Sequence, residues 1–258
     1  MKHLFAPEGR VAIAAVLQRR PLLAFDFDGT LAPIVLRPDD ARVAAPVARA
    51  LARLATVHPI AIVTGRRVAD VAPRLGFEPA FIVGSHGAEG LSGEPLADFE
   101  AALTAARGRL AEHAAALGRA GVLVEDKGSS IALHYRMAAD RVLALQSIDT
   151  ALAGVGPEAR RFGGKFVVNL VAAAAPDKGV AMLRLVARAN AGAALFVGDD
   201  VNDEAVFEIA PPSWLTVRVG RAEGGSRARY FIDSHDEMAM LLQQLTDPHP
   251  TGAADPLP

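Results

Sequence analysis

The segment LLAFDFDGTLAPI, residues 22–34, places an apolar run directly before two aspartates and a glycine. An apolar run bounded by a turn signal is typical of a strand that is buried on both faces of a parallel sheet. Asp26 and Asp28 then fall where this strand ends, and Gly29 allows the chain to turn sharply out of the sheet. Two acids at such a position predict a metal site, a reacting site, or both.

Further apolar runs on either side of this segment extend the pattern. Strands are predicted at 21–26, 59–64 and 80–83, with helices near 44–55 and 68–75. The pattern returns with a helix at 177–189, a strand at 194–200, and weaker strands at 215–219 and 229–232. Strands rich in Ile, Val and Leu that alternate with helices predict an α/β fold, a parallel sheet covered on both sides.

The stretch between these two parts has a different character. A long helix is predicted at about 97–118, and another near 139–153. Each precedes a strand pair: 121–126 with 129–136, joined at Lys127-Gly128, and strands around 160–162 and 165–171, joined at Gly163-Gly164. This order predicts an antiparallel α+β module. We therefore expect a split core, residues 1–90 and 173–246, with a cap inserted at 91–172. The proline-rich residues 247–258 are predicted to be a disordered tail.

The composition narrows the class of protein. Among 258 residues, 27 are basic and 29 acidic, which gives no reason to expect nucleic acid or an anionic membrane as partner. The chain has no cysteine, which excludes disulfides, thiolate metal sites and cysteine nucleophiles. The first residues, interrupted by Glu8 and Arg10, favour an amphipathic helix over a signal peptide, so we expect a cytoplasmic protein.

Four polar signals fall at the carboxyl ends of predicted strands or at a helix start, where open α/β sheets bind their ligands. They are Asp26 with Asp28, Thr64-Gly65-Arg66, Lys178, and the group Asp199, Asp200 and Asp203. An EF-hand reading of the first signal fails, because Gly29 is fourth rather than sixth and Arg37 stands at position twelve. Several close carboxylates call for a cation, and all-oxygen ligands favour Mg²⁺.

Three of these residues suit a bound phosphoryl group. Thr64-Gly65 offers a hydroxyl and an accessible N–H, and Lys178 offers a compact positive charge. Taken alone, Thr64 would be read as a strand-end cap and Lys178 as a solvated helix residue. Only their combination with the acids points to phosphoryl chemistry.

The motifs together resemble those of the haloacid dehalogenase (HAD) superfamily, and within it the trehalose-6-phosphate phosphatases along nearly the whole chain. The segments that carry the resemblance are DFDGTLAPI (26–34), VTGR (63–66), GSHGAE (84–89), EDKGSSIALHYR (125–136), GKFVVN (164–169), DKG (177–179) and GDDVNDE (198–204). The resemblance implies a Rossmann-like HAD core with an α+β cap of the C2B type, and a Mg²⁺-dependent phosphatase of trehalose 6-phosphate.

The resemblance also implies roles for the residues of the core. Asp26 would be the nucleophile, forming an aspartyl-phosphate, and Asp28 the general acid and base. Mg²⁺ would be held by the side chains of Asp26 and Asp199 and the main-chain carbonyl of Asp28. Residues expected to support this site are Thr64 and Lys178 as catalytic groups, Phe27, Gly65 and Arg66 at the substrate, and Asp200 and Asp203 behind the metal.

Substrate choice is expected to lie with the cap. Lys127, His134, Arg136 and Lys165, on short predicted strands near glycine turns, would each be read alone as solvent-facing residues. The match to the family's cap motifs makes them candidates for sugar-phosphate contacts, joined by His86 and Glu89 at the core–cap junction.

One departure from the family pattern concerns the last cap strand. Asn169 stands where the family carries glutamate, and Val171-Ala172 replace a basic residue and proline. A neutral amide binds sugar hydroxyls more weakly than a carboxylate. Alternatives therefore stay open: a phosphatase of sucrose phosphate or mannosyl-3-phosphoglycerate, or, more remotely, a catalytically silent binding subunit. The oligomeric state is not determined by the sequence.

Overall fold

A computed structural model describes residues 1–35, 37–91, 95–221 and 225–247. The predicted tail lies outside the described residues except for Asp247. Two sheets, each with its own helices, make up the described chain.

The larger sheet has seven parallel strands in the order β1-β11-β10-β9-β2-β3-β4. Its strands are β1 (Lys2–His3), β2 (Leu22–Phe25), β3 (Ile60–Val63), β4 (Phe81–Val83), β9 (Ala194–Gly198), β10 (Leu215–Val219) and β11 (Tyr230–Ile232). The predicted α/β fold class is confirmed by this sheet. The two-residue strand β1, which pairs with β11, was not predicted because it is too short to show a pattern.

Helices cover both faces of this sheet. They are α1 (Pro7–Leu17), α2 (Ala45–Leu54), α3 (Val68–Val71), α8 (Lys178–Arg188), α9 (Glu204–Ile209) and α10 (Met238–Thr246). Strand β2 shows why both faces are apolar: Leu23 and Phe25 belong to the core on one side, whereas Leu22 and Ala24 belong to the core on the other. This period of two follows from the alternation of side chains along a strand.

The smaller sheet is antiparallel, in the order β5-β6-β8-β7. Its strands are β5 (Leu123–Asp126), β6 (Ser130–His134), β7 (Ala159–Gly164) and β8 (Val167–Ala172), and its helices are α4 (Leu96–Ala102), α5 (Thr104–Glu112), α6 (Ala114–Arg119) and α7 (Arg141–Leu152). Leu133 and Leu170 lie in an apolar cluster with helix residues such as Ile148. Val171, on the opposite face of this sheet, lies in a cluster with Ala88, which follows β4 of the larger sheet. We propose that the cap extends over the predicted range, residues 91–172.

Two local predictions were wrong. The single helix expected at 97–118 is three helices, because Leu103 and His113 have ψ angles of 2° and 5° that interrupt it. The turn between β7 and β8 lies at Lys165-Phe166, not at Gly163-Gly164. Gly164 is still paired with Val167, and the left-handed Phe166, with φ of 62°, makes the reversal.

Strand ends and helix ends otherwise fall within a few residues of their predicted positions. Helix α3 stops at Val71 and continues only as a 3₁₀ turn, Ala72–Arg74, because Pro73 donates no N–H. Within the described ranges, no helix has the length and apolar character needed to cross a membrane.

Candidate active site

The acidic residues meet because their strands are neighbours. Asp26 directly follows β2 and Asp199 directly follows β9, and Phe25 is paired with Val197 in the sheet. One carboxylate oxygen from each of Asp26, Asp199 and Asp203 lies within 4.8 Å of the others. The two acidic motifs, 173 residues apart between Asp26 and Asp199, therefore lie together at one edge of the sheet.

Gly29 is required at this site for two separate reasons. Its φ of +85° lies in the left-handed region, which glycine adopts without steric cost. A Cβ atom on Gly29 would also lie 2.1 Å from Oδ2 of Asp199. The glycine after the acid pair thus makes the turn and leaves room for the second acidic strand end.

Lys178, the first residue of α8, is the central cation of the site. Its Nζ donates to Oδ1 of Asp26 at 2.8 Å and to Oδ1 of Asp203 at 2.7 Å, and its side chain is 1% exposed. Although burial acts to lower it, the neighbouring carboxylates of Asp203 and Asp26 raise the pKa of Lys178. The lysine is therefore a permanent positive charge between two acids.

The remaining charge in the cluster is unbalanced. Burial raises the pKa of Asp26 well above its ordinary value, with Lys178 opposing this and Asp203 and Asp199 adding to it. Burial, followed by the charges of Asp203 and Asp200, raises the pKa of Asp199 to about 7. Burial is the largest cause of both shifts, and repulsion between the neighbouring carboxylates adds to it, a combination that a divalent cation relieves.

The acidic loop after β9 is held in place by its own residues and by an arginine that was not predicted. Asp203 accepts the N–H of Asp200 through Oδ2, and Asp200 accepts the N–H of Val201. Arg218 on β10 donates to the main-chain oxygen of Asp199 at 2.7 Å. The segment LTVRV (215–219) has no other charged residue, and this was the signal that could have identified Arg218 as part of the site.

Arg66 lies against Asp28. Its Nε and Nη2 donate to the two carboxylate oxygens of Asp28, each at 2.8 Å, and its Nη1 donates to Asp70 at 2.9 Å. The guanidinium also stacks over the Phe27 ring, 5.2 Å from its centroid. The Phe27 side chain is fully buried, so any substrate contact of Phe27 would be through its main chain. Arg66 was predicted at the substrate, but here it fixes the orientation of Asp28.

The Thr64-Gly65 turn is packed against His86. Thr64 is buried and its Oγ1 accepts the N–H of Arg66 at 3.2 Å. A Cβ on Gly65 would lie 2.3 Å from Cε1 of His86. Ser85 and His86 both have left-handed backbone conformations, with φ of 49° and 59°. Backbone strain of this kind is concentrated at functional sites.

Glu89 has a supporting position. Its Oε2 accepts the N–H of Val68 at 3.1 Å and the hydroxyl of Ser85 at 3.2 Å. It thereby ties the strained 85–87 turn to the start of α3. This contact gives Glu89 a structural explanation besides the predicted role at the substrate.

The strand pairing of the cap explains which side chains face the core. Glu125, Ala132, Asn169 and Phe162 form one row across the four strands. Asn169 is buried on the central strand β8, and the Phe162 ring contacts His86 edge-on, with centroids 5.0 Å apart. The row therefore lies on the face that meets the core.

The other predicted cap residues are distributed around this row. His134 and Lys127 both pair with Glu125, at 2.9 and 3.4 Å. Lys165 lies near enough to Asp199 to oppose the rise in its pKa. Arg136 reaches the main-chain oxygen of Val35, 3.4 Å away, in the loop after the first motif. Glu125, which pairs with two of these four residues, was not predicted as a site residue.

The cap and the core are in contact beside the acidic loop. A Cβ on Gly164 of the cap would lie 3.0 Å from Oδ2 of Asp200 and 3.5 Å from Nδ2 of Asn169. The end of the β7 strand thus lies directly over the second acidic motif. This arrangement places the cap residues over the core acids.

Comparison with known proteins begins with the fold. The C-terminal domain of the Candida albicans trehalose-6-phosphate phosphatase superposes with a TM-score of 0.77 at 20% identity, covering 92% of this chain and 95% of that one. At this identity the likeness shows the fold alone.

Sequence similarity shows the family to which the chain belongs. Residues 24–235 match the trehalose-phosphatase family, and the chain belongs to it. A trehalose-phosphate phosphatase of Mycobacterium avium is 35% identical over 248 residues, covering 89% of this chain and 63% of the relative. An uncharacterized glycosyl hydrolase of Mycobacterium tuberculosis is 36% identical over 251 residues, covering 88% of this chain. The chain spans only 18% of the length of that second protein.

Proposed function

We propose that this chain hydrolyses trehalose 6-phosphate to trehalose and phosphate, with Mg²⁺, through an aspartyl-phosphate formed on Asp26. The observation that carries the proposal is the position of the Asp26 carboxylate at a strand end, bonded to Lys178 and close to Asp199. Membership of the trehalose-phosphatase family supports the substrate. A silent binding subunit is disfavoured, because such a protein has no need for this assembled set of charges.

The donor set fits Mg²⁺. The candidate ligand atoms are carboxylate oxygens, which hard divalent cations prefer, and the three carboxylates outnumber the one lysine, Lys178, among them. We assign the ion to the side chains of Asp26 and Asp199 and the main-chain carbonyl of Asp28. We assign Asp203 a supporting role instead, because its two oxygens accept from Lys178 and from the N–H of Asp200. Bound there, Mg²⁺ supplies charge neutralisation for the transferring phosphoryl group.

The first step is a displacement at phosphorus by the Asp26 carboxylate. A bond forms between that carboxylate and phosphorus as the bond to the sugar oxygen breaks, and Asp28 donates a proton to the leaving oxygen. We assign Lys178, the Thr64 hydroxyl and the Gly65 N–H to the phosphoryl oxygens, because Lys178 bonds to Asp26 and because Thr64 and Gly65 follow β3, the strand beside β2.

The second step releases phosphate. Water attacks phosphorus, Asp28 takes its proton, and the bond between phosphorus and Asp26 breaks. Both carboxylate oxygens of Asp28 accept hydrogen bonds from Arg66, which orients the group. To donate to the leaving sugar oxygen Asp28 has to face the substrate, so we infer that this two-point contact with Arg66 opens when the sugar phosphate enters.

The test is phosphate release from trehalose 6-phosphate, sucrose 6-phosphate and mannosyl-3-phosphoglycerate, with Mg²⁺ and after chelation by EDTA. We expect trehalose 6-phosphate to give the highest kcat/KM, chelation to abolish turnover, and Asp26→Asn to abolish turnover while the protein still folds, as circular dichroism would show. Asp40→Asn, at an exposed aspartate outside the site, is the matched control. Full activity in Asp26→Asn would rule out the nucleophile.

Asn169 stands where the resembled family carries glutamate, so the identity of the sugar has its own test. We expect Asn169→Glu to raise kcat/KM for trehalose 6-phosphate, because a carboxylate accepts sugar hydroxyls more strongly than an amide does. A melting curve controls for the cost of a buried acid on β8. An unchanged or lower kcat/KM would favour another sugar phosphate.

The ligand we propose is thus a small sugar phosphate. The near balance of 27 basic and 29 acidic residues supports our expectation that neither nucleic acid nor a membrane is a partner. A location in the cytoplasm remains part of the proposal.

A further inference from the structure

Arg160 of the cap lies on the face that meets the core. It is paired with Val171, which is itself paired with Ser130, so that these three residues form a row next to the row of Asn169 and Phe162. Its guanidinium carbon lies 5.5 Å from the centroid of the Phe162 ring. Because Phe162 contacts His86, the Arg160 side chain is directed to the junction beside the candidate active site.

The polar groups around this position lack partners. In the described part of the chain, the Arg160 guanidinium has neither a hydrogen bond nor a carboxylate, although the side chain is half-buried. The Ser130 hydroxyl and Nδ1 of His86 are buried without a hydrogen bond as well. Ser130 and His86 are 2% and 8% exposed. Buried polar groups are costly unless they are bonded, so two such groups beside a half-buried guanidinium that has no hydrogen bond within the described chain indicate a missing polar ligand.

The charges at this surface define what the ligand must offer. Burial, followed by the positive charges of Lys178, Lys127 and Arg160, lowers the pKa of His86 well below its ordinary value, so its ring is neutral. Lys127 already has Glu125 as partner, whereas Arg160 does not. A ligand rich in hydroxyl oxygens would supply acceptors to Arg160 and both donors and acceptors to Ser130 and His86.

We propose that Arg160 determines substrate specificity by donating hydrogen bonds to hydroxyl groups of the leaving sugar, with Ser130 and His86 beside it. This inference rests on the proposed sugar phosphatase function. The proposal also offers a physical explanation for the departure from the family pattern at Val171. The basic residue that the resembled family carries there is absent, and Arg160 presents a cation from the paired position of the neighbouring strand.

The experiment compares Arg160→Gln with Arg161→Gln on two substrates. Arg161 is paired with Leu170, whose side chain faces the opposite, helix-covered side of the sheet, and Arg161 bonds to Asp149 at 2.7 Å. The substrates are the sugar phosphate that the wild type prefers and para-nitrophenyl phosphate, which has no sugar. The kcat and KM values are measured separately for each.

For Arg160→Gln we expect a fall in kcat/KM of about 10- to 100-fold on the sugar phosphate, mainly through KM, since charged hydrogen bonds are lost. Activity on para-nitrophenyl phosphate is expected to stay unchanged. Arg160→Lys should recover part of the loss, because it keeps the charge but not the planar fork of donors. Arg161→Gln should match the wild type on both substrates.

Two results would overturn the inference: sugar-phosphate kinetics of Arg160→Gln equal to those of Arg161→Gln, or equal losses on both substrates. Failure of the proposed function would give a different experimental result from failure of the inference about Arg160. If the wild type prefers a sugar phosphate other than trehalose 6-phosphate, the proposed substrate is wrong, while a selective loss in Arg160→Gln on the preferred sugar supports the role of Arg160.

Discussion

Lys178 is a lysine almost wholly removed from water, and its position between Asp26 and Asp203 makes each of the three residues depend on the others. Removing one partner of a buried ion pair leaves an uncompensated charge, which costs far more than losing a surface pair. The sequence placed Lys178 at a helix start and predicted its chemistry. Its second partner, Asp203, became evident only when strands and helices were assembled.

We therefore expect Lys178→Met to lower the free energy of unfolding by about 3 kcal/mol or more and to abolish phosphatase activity. The double variant Lys178→Met/Asp203→Asn should regain part of the stability but none of the activity. Part of the stability returns because the buried carboxylate that has lost its lysine partner is replaced by a neutral amide. Urea denaturation and phosphate release measure the two effects. Equal stability of the wild type and the single variant would contradict the buried triad.

Asp70 provides a prediction of pH dependence. Partial burial acts to raise its pKa, but hydrogen bonds from Arg66 and Arg74 prevail and lower it from 3.8. A group with a depressed pKa in the folded protein adds stability above its unfolded pKa, and this contribution is lost as the pH falls through the folded value.

Asp70→Asn is expected to be less stable than the wild type by about 1 kcal/mol at neutral pH, since the carboxylate is about one-third exposed. The difference should persist down to about pH 5 and shrink below the unfolded pKa of 3.8. Urea denaturation at several pH values provides the measurement. A difference that grows on acidification would show that Asp70 is not stabilised by the two arginines.

At the scale of elements, helix α8 must pack closely on α9 in order to carry Lys178 into the site. Gly179 allows this approach, because a Cβ there would lie 2.5 Å from the main-chain oxygen of Ala205. A glycine inside a helix is unfavourable by propensity, so its presence next to Lys178 reflects the packing and not the helix itself.

Gly179→Ala should therefore destabilise the protein by about 1–3 kcal/mol and reduce activity, because the two helices have to separate. Gly108→Ala in α5 is the matched control, since no heavy atom lies within 4 Å of the added Cβ. We expect the control to gain about 0.5–1 kcal/mol from helix propensity. Thermal denaturation compares the two variants, and a loss of equal size in both would show that the α8–α9 contact is not tight.

At the scale of the whole molecule, the described chain has two sheets with separate apolar clusters that meet near Ala88, Phe162 and Val171. Each sheet supplies a different part of the proposed reaction: the parallel sheet the acids and Lys178, the antiparallel sheet the residues that face the sugar. The proposed division into core and cap predicts that the two units lose stability separately.

Leu133→Ala, at a fully buried position of the cap, should cost about 2–5 kcal/mol through its cavity. Amide exchange should accelerate in β5, β6 and β8 but not in β2, β3 and β9. Leu195→Ala, equally buried on β9, should give the reverse pattern. If both variants accelerate exchange throughout both sheets, the division into two units is wrong.

Prediction from the sequence was most successful where local physics decides the result. Apolar runs such as 22–25 and 60–63 are long enough to specify buried parallel strands, and the acids after them mark the ligand-binding edge. It failed at helix interruptions such as Leu103 and at the turn at Phe166, where the backbone conformation depends on packing against other elements.

The sequence by itself determined the alternation of strands and helices, the inserted α+β stretch, and the kinds of side chain available for phosphoryl chemistry, because these follow from local pattern and composition. Only the tertiary structure decided which side chains are partners. Arg66 with Asp28, Lys178 with Asp203, and Arg160 on the row of Val171 are contacts set by strand order and register. Register decides such contacts because a shift of one residue would turn every side chain of a strand to its other face.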